Sequence, residues 1–341
     1  MSIMGKKSRK AGLAPGGVFH RLEPVLFRFR GSGSRVGKHG FPLLALVLSF
    51  PFFLVSCYEP VELELDDMPP VLVVDGAVTT EWGHHKVRLS RSTPYFDTAF
   101  SHWGVSGAEV RVSDGENSFD FEEDAKEKGL YRSRTAFMGE AGKTYELEVW
   151  VSLEEGGERQ FYSARETMPE SIRMDSITAV YGFSKPPLYR RKRVGWSILL
   201  YGTDSPAKNY YGIALYLGGR NYNDSLRAMR LWDDQIGSGF HLNGLPLFFF
   251  RSDTERHIAH AGMDVEMVVR NYTAEYYQYI QDVRAVVSPQ VPVFSGAPSN
   301  CRGNVSGGAF GYFAVFSVDR KSTWLDSRDS VAWRADPHSS E

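Results

Sequence analysis

The sequence predicts a mainly β protein with a minor helical part. Three observations favour this fold class. Apolar and polar residues alternate in many short segments after Pro70, turn-forming residues such as Asp114-Gly115 separate some of these segments, and a helical period occurs in one segment, 273–287. Alternation with a period of two is typical of strands that have one buried face and one face in water. We therefore expect a core enclosed between sheets.

The first part of the body is predicted to be a β-sandwich over residues 69–168. Asp114-Gly115 predicts a hairpin turn, because glycine tolerates a positive φ there. Seven or so short strands in roughly 100 residues are typical of an immunoglobulin-like or transthyretin-like sandwich. A short apolar run lies at 71–74, and the alternating segments lie near residues 87–89, 108–112, 119–121 and 145–151.

The second part is predicted to be a β-rich domain with one or two helices, over residues 169–325, before a polar tail at 326–341. One helix is expected in 273–287, with Thr273 as its cap and Glu275 in its first turn. Its predicted apolar face consists of Tyr276, Tyr277, Ile280, Val283 and Val287. Strands are expected at 173–180, 196–201, 211–217, 265–269 and 311–318.

The N-terminal segment has the features of a secretory signal. Residues 1–40 are basic and rich in Gly and Ser, and an apolar run follows from Phe41 to Val55. As a helix this run would span about 22 Å, less than the roughly 30 Å hydrocarbon core of a bilayer. We expect residues 1–56 to be removed, with a transmembrane anchor as the alternative.

The segment Leu54-Val55-Ser56-Cys57 resembles the lipobox of bacterial lipoproteins. That resemblance implies that Cys57 is acylated, for example with palmitate, and that its acyl chains enter the lipid of the outer membrane. Two or more chains anchor a protein stably, whereas one chain binds only marginally. Residues 57–68 would then form a lipidated acidic tether.

The charge of the predicted mature chain argues against nucleic-acid binding. Of 39 basic and 41 acidic residues, removal of 1–56 leaves 30 and 40, a formal charge of −10. Nucleic-acid binding requires a basic footprint. If Cys57 is acylated, Cys301 has no partner, so we expect no disulfide and interpret Cys301 as a small apolar residue.

No motif in the sequence predicts a catalytic residue, a metal site or a cofactor. His257 and His260 have i,i+3 spacing, whereas the helical zinc motif has i,i+4 spacing with a Glu between the histidines. Residues 303–308 are rich in Gly but lack the Gly-Lys-Ser/Thr of a phosphate loop. A Gly-x-Ser-x-Gly nucleophile elbow is also absent from the sequence.

Two runs are candidates for contact with a partner. The basic run Arg190, Arg191, Lys192 and Arg193 is interpreted either as a solvated loop or as a contact for an acidic partner or phosphates. The run Leu247-Phe248-Phe249-Phe250 cannot face inward throughout on a strand with one wet face. We therefore expect part of this run to be exposed to a partner.

Seven stretches together resemble the lipoprotein family catalogued as domain of unknown function 4249, DUF4249. They occur in the same order and cover most of the predicted mature chain: Val71–Val78, Val87–Ser92, Val105–Val112, Gly142–Val149, Met174–Ile177, Glu275–Tyr279 and Asn304–Phe313. The resemblance implies a Gram-negative envelope protein that accompanies a TonB-dependent outer-membrane barrel. It transfers no catalytic residue.

The expected function is therefore that of a non-enzymatic binding or accessory subunit of such a transporter. The expected location is the outer membrane, on the cell surface or on the periplasmic face. Acidic residues after Cys57 match a surface-export signal loosely, since Tyr58 and Pro60 interrupt them. The alternative is a structural, adhesive or envelope-assembly lipoprotein without a small ligand.

Overall fold

The computed structural model describes residues 69–92, 103–154, 156–170, 173–184, 188, 193–234, 239–255, 257–287 and 301–326. The signal segment, the tether with Cys57 and nearly all of the tail lie outside these ranges. The described residues belong to one compact unit and are mostly β, with one helix among them. No helix in them is both long and apolar enough to cross a membrane.

The described residues of the range 69–168 form seven strands, as the sequence predicts. Their alternation is regular: in β6 the side chains of Tyr145, Leu147, Val149 and Val151 are buried while the residues between them are partly exposed. The strands are β1 (Leu72–Thr79), β2 (Lys86–Arg91), β3 (Glu109–Ser113), β4 (Ser118–Glu123), β5 (Leu130–Ser133), β6 (Thr144–Val151) and β7 (Gln160–Thr167).

The hairpin predicted at Asp114-Gly115 is confirmed. β3 and β4 pair antiparallel, and Gly115 has a φ of 86°. The Asp114 carboxylate accepts hydrogen bonds from the backbone N–H groups of Glu116 and Asn117, at 3.0 and 2.6 Å. Aspartate therefore closes the turn with its own side chain.

The described residues of the second part form eight further strands and a helix. The helix α1 (Ala274–Val287) begins as predicted, because the Thr273 hydroxyl accepts the backbone N–H of Tyr276 at 3.1 Å. The strands are β8 (Arg173–Phe183), β9 (Val194–Thr203), β10 (Tyr210–Leu217), β11 (Arg220–Asn221), β12 (Arg230–Asp233), β13 (His241–Arg251), β14 (Asp264–Tyr272) and β15 (Phe310–Trp324).

The strands are arranged in one long sheet and one short sheet. The long sheet has the order β11-β10-β14-β15-β1-β2-β5-β4-β3-β6-β7, with β12 beside β10, and the short sheet has the order β13-β9-β8. The part of the long sheet that runs from β15 to β7 closes on itself, because β7 lies against β15. At this closure Ser306, just before β15, donates its backbone N–H to the Ser163 carbonyl of β7 at 2.7 Å. This closure encloses the first core in a sandwich-like arrangement.

β15 takes part in both halves. Its residues Phe310–Phe316 pair in parallel with β1, and Ser317–Trp324 pair antiparallel with β14. Phe313 and Val315 belong to the apolar cluster of the first half, whereas a second cluster lies between β10, β14 and the short sheet. The division into two domains at residue 168 stays a prediction, and β15 bridges it.

Candidate ligand-binding cleft

The residues predicted for partner contact do not come together at an exposed surface in the described part of the chain. Cys57, Arg190, Arg191 and Lys192 lie outside the described residues. Arg193 is half-buried just before β9, where its backbone N–H donates to the Ser184 hydroxyl at 3.2 Å. The basic run therefore stays a prediction.

The exposed apolar surface predicted at Phe248, Phe249 and Phe250 is not found. These side chains are 4, 8 and 1 % exposed, and Leu247 before them is 6 % exposed. A bulge between Pro246 and Phe248 shifts the register of β13 against β9, and both faces of this end of β13 are covered. The expectation failed because it assumed a strand with one wet face.

His260, His85 and Asp234 make contacts that belong to the fold itself. His260 lies in an irregular turn and contacts the Ala261 carbonyl, and the described residues include no group of three potential metal ligands. His85 is buried against the Phe137 carbonyl at 3.1 Å. Asp234 is buried and accepts the backbone N–H of Asn209 at 2.9 Å.

A cleft of about 1060 Å³ lies beside the start of α1. The ends of β7 and β10 and the residues before β15 form its walls. Four tyrosines line it, namely Tyr210, Tyr277, Tyr279 and Tyr312. We call this the tyrosine cleft, and its size is close to the upper end of the usual range for small-molecule sites.

Charged groups of both signs surround the tyrosine cleft. The cations Arg165, Lys208 and Arg302 are exposed along it. The acids are Asp233, Glu275 and Asp282, with Glu166 at the base. Such a lining offers donors and acceptors around aromatic faces, which suits an uncharged or zwitterionic ligand with a ring and several polar groups.

Glu166 connects three elements at the base of the cleft. It is 8 % exposed on β7, and its Oε1 accepts the hydroxyl groups of Thr273 and of Tyr312, the latter at 2.9 Å. Its Oε2 accepts the backbone N–H of Val315 at 3.2 Å. Burial raises the pKa of Glu166 to about 7, although these three hydrogen bonds act in the opposite direction.

On the edge of β15 that faces away from β1, side chains make hydrogen bonds to the backbone groups of Phe313 and Val315. Asn304 donates its amide to the Phe313 carbonyl at 2.8 Å and accepts the Phe313 N–H at 2.9 Å. Glu166 takes the next outward N–H, that of Val315. Asn304 and Glu166 thus replace a neighbouring strand where the cleft interrupts the sheet.

Aromatic rings form a layer behind the cleft wall. Tyr276 and Tyr279 of α1 lie with their ring centroids 4.9 and 5.0 Å from that of Tyr312. Tyr276 also stacks parallel to Phe316 at 6.3 Å. Burial and the neighbouring Glu166 carboxyl both raise the pKa of Tyr312, so its hydroxyl remains a donor at neutral pH.

The apolar face predicted for α1 is partly wrong. Ile280 is buried, but Val287 is 51 % exposed, and Tyr279, which was not included, makes ring contacts with Tyr276 and Tyr312. The inner face thus contains Tyr276, Tyr279 and Ile280. Tyrosines pack there through ring contacts with each other and with Tyr312.

Sequence reasoning missed the residues that build the cleft. Glu166 lies on β7, which no predicted strand covers, and Asn304 and Tyr312 carried no expected role. A signal was present, because Glu275–Tyr279 and Asn304–Phe313 are two of the stretches that resemble DUF4249, and the structure brings them together at this cleft.

The family model described as a domain of unknown function, DUF4249, matches residues 58–322. The chain belongs to the DUF4249 family. Every residue that lines the tyrosine cleft lies within the part of the chain that matches DUF4249. A comparison with curated proteins finds no match.

Proposed function

We propose that this DUF4249 protein is a non-enzymatic ligand-binding accessory lipoprotein of a TonB-dependent outer-membrane transporter. The observation that carries the binding part is the tyrosine cleft, with its volume of about 1060 Å³ and its four tyrosines. A pocket with aromatic faces and a few convergent polar groups is the usual form of a small-molecule site. The ligand would lie against the rings, with its polar groups on the charged rim.

Binding fits the cleft better than catalysis does. Glu166 has a pKa of about 7, which suits a general acid or base. Its two oxygens, however, already accept Thr273, Tyr312 and Val315, and its side chain is 8 % exposed. In this proposal Glu166 holds α1 and β15 in position and does not transfer a proton to a ligand.

The proposed location depends on the N-terminal sequence. The apolar run 41–55 followed by Leu54-Val55-Ser56-Cys57 supports export and acylation at Cys57. Resemblance to DUF4249 lipoproteins supports a TonB-dependent barrel as partner and the outer membrane as location. The acidic residues after Cys57 favour the cell surface over the periplasmic face.

The first test is a mild-detergent pull-down of the tagged native protein, followed by mass spectrometry. We expect recovery of a TonB-dependent barrel in a stoichiometric amount. The matched control is Cys57→Ala, which we expect to leave the membrane fraction and to lose the barrel, because it carries no acyl chains.

Recovery of the lipoprotein alone would overturn the transporter assignment. Recovery with envelope-assembly or matrix components would support the alternative, a structural or adhesive lipoprotein. A growth defect of the deletion strain on one nutrient separates the two further, since only the accessory function predicts it.

A further inference from the structure

A second pocket, of about 490 Å³, lies in the other half of the fold and shares no lining residue with the tyrosine cleft. β12 and β13 contribute Arg230, Phe248, Phe249 and Phe250, and the turn after β11 contributes Tyr222. We call it the Arg230 pocket. Its volume is within the range for small organic ligands.

The guanidinium of Arg230 is the only described cation in the lining of this pocket, and it is partly buried. Its Cζ lies 4.5 Å from the ring centroid of Phe248, and one of its N–H groups donates to the Leu247 carbonyl. Burial lowers the pKa of Arg230. An arginine carries five N–H donors in a planar fork, so donors remain for a second acceptor.

Arg230 has no ion pair with any carboxylate in the described part of the chain. Glu255 lines the same pocket, but its Oε2 accepts the backbone N–H of Arg251 at 2.7 Å. Segment 185–192, which flanks Leu188 of the lining, contains no Asp or Glu in its sequence. Arg230 therefore makes no direct ion pair with a described carboxylate, although the Glu255 carboxylate also lines the pocket and is engaged by the Arg251 backbone.

A partly buried guanidinium without a direct ion pair is unfavourable, because proteins generally bury arginine with a paired charge in contact. An anion in the pocket would offset this cost. A carboxylate matches the guanidinium fork through two parallel N–H···O bonds. The pocket geometry therefore selects an anionic group at Arg230.

The aromatic residues on the other side of the pocket indicate which kind of body the anionic ligand would have. The ring of Tyr222 stands edge-on to Phe250 and Phe248, with centroids 4.9 and 6.4 Å apart. Phe248, Phe249 and Phe250 line this side of the pocket, where each buried ring presents a small apolar area. We propose that the Arg230 pocket binds a small monocarboxylate with an apolar or aromatic body, its carboxylate on Arg230 and its body against the phenylalanine wall.

The test is calorimetric titration of the full chain with 3-phenylpropanoate and with 3-phenylpropanamide, which has the same body without charge. We expect saturable binding of the acid and about tenfold or more weaker binding of the amide, since a hydrogen bond to a charged group is the stronger one. Equal binding of the two compounds, or no saturable binding of the acid up to about 10 mM, would overturn the proposal.

Variants locate the site. Arg230→Gln should abolish the preference for the acid, and Arg230→Lys should retain part of it, because lysine keeps the charge but loses the fork. Arg220→Gln, on the exposed strand β11, is the matched control and should bind the acid as the wild type does. An unchanged preference in Arg230→Gln would contradict the assignment, and the acid–amide comparison in the wild type holds even if that variant fails to fold.

Discussion

Glu166 is a buried carboxyl whose protonation is coupled to folding. Its pKa in the folded chain is about 7, above the ordinary value of 4.5, because burial disfavours the charged form. Between these values the folded chain binds a proton more tightly than the unfolded chain does. The stabilisation is fully present below pH 4.5 and is lost as the pH rises through about 7.

We therefore expect the free energy of unfolding to fall by about 3 kcal/mol from this group between those pH values. Glu166→Gln should flatten the curve, because an amide does not titrate. The variant should still fold, because the amide can donate to the Thr273 or Tyr312 oxygen and accept the Val315 N–H. Urea unfolding at a series of pH values measures this pH dependence of the free energy of unfolding. The exposed Glu170→Gln is the control, and an equally flat curve for that variant would refute the assignment.

Neither alanine nor the nearly isosteric aspartate is predicted to replace Asn304. Asn304→Ala leaves both the N–H and the carbonyl of Phe313 without their partner, at a cost of about 1–3 kcal/mol per group. Asn304→Asp keeps an acceptor for the N–H but places an anion beside the carbonyl. Chemical denaturation should show both variants destabilised, and wild-type stability in Asn304→Asp would contradict the two-bond arrangement.

Residue roles were less predictable from the sequence than residue burial. Alternation predicted Tyr145, Leu147, Val149 and Val151 as core, because hydrophobicity alone decides such positions. The hydrogen bonds of Asn304 and Glu166 join residues 9 to 149 positions apart, so no local pattern indicates them. The same holds for Arg230, whose environment depends on β13.

Among the elements, β15 tolerates substitution least at Gly311. This residue has a φ of 93°, and an added Cβ would lie 1.9 Å from the Val74 carbonyl oxygen of β1. Gly311→Ala should therefore destabilise the chain by more than about 3 kcal/mol, through backbone clash and strain together.

Gly308→Ala provides the matched control for Gly311→Ala. Its φ is 78°, but nothing lies within 4 Å of the added Cβ, so only the strain of about 1–2 kcal/mol applies. Thermal unfolding of both variants measures the difference. Equal losses would mean that the close approach of β1 and β15 does not exist.

Strands with regular alternation were predicted, and strands with an atypical residue at a key position were missed. β7 has Glu166 in a buried position that an apolar residue would normally occupy, which hides its alternation. β13 contains Gly244 and Pro246 and has two register shifts, features that argue against a strand. The helix α1 was found because its cap, Thr273, is a local signal.

At the scale of the whole molecule, β15 joins the two apolar clusters through one continuous backbone. We expect both halves to unfold in a single transition, because β15 cannot leave one sheet without disturbing the other. Leu147→Ala in the first cluster and Leu215→Ala in the second should each lower the free energy of unfolding in that single transition by a comparable amount, about 2–5 kcal/mol.

Differential scanning calorimetry tests this cooperativity, since a single transition has equal calorimetric and van't Hoff enthalpies. Two resolved transitions, each sensitive to only one of the two leucines, would favour independent domains divided near residue 168. The sequence predicted such a division because β15 lies far along the chain from β1, and parallel pairing at that distance leaves no local trace.

Ligand binding in the tyrosine cleft is the central claim, and small-molecule mass spectrometry of protein purified from its own cells tests it most directly. Wild type, Tyr277→Ala in the cleft and Tyr216→Ala outside it on β10 would be denatured and their extracts compared. We expect a compound present in a near-stoichiometric amount with wild type and Tyr216→Ala, and strongly depleted with Tyr277→Ala. Identical extracts from all three proteins would contradict binding in this cleft.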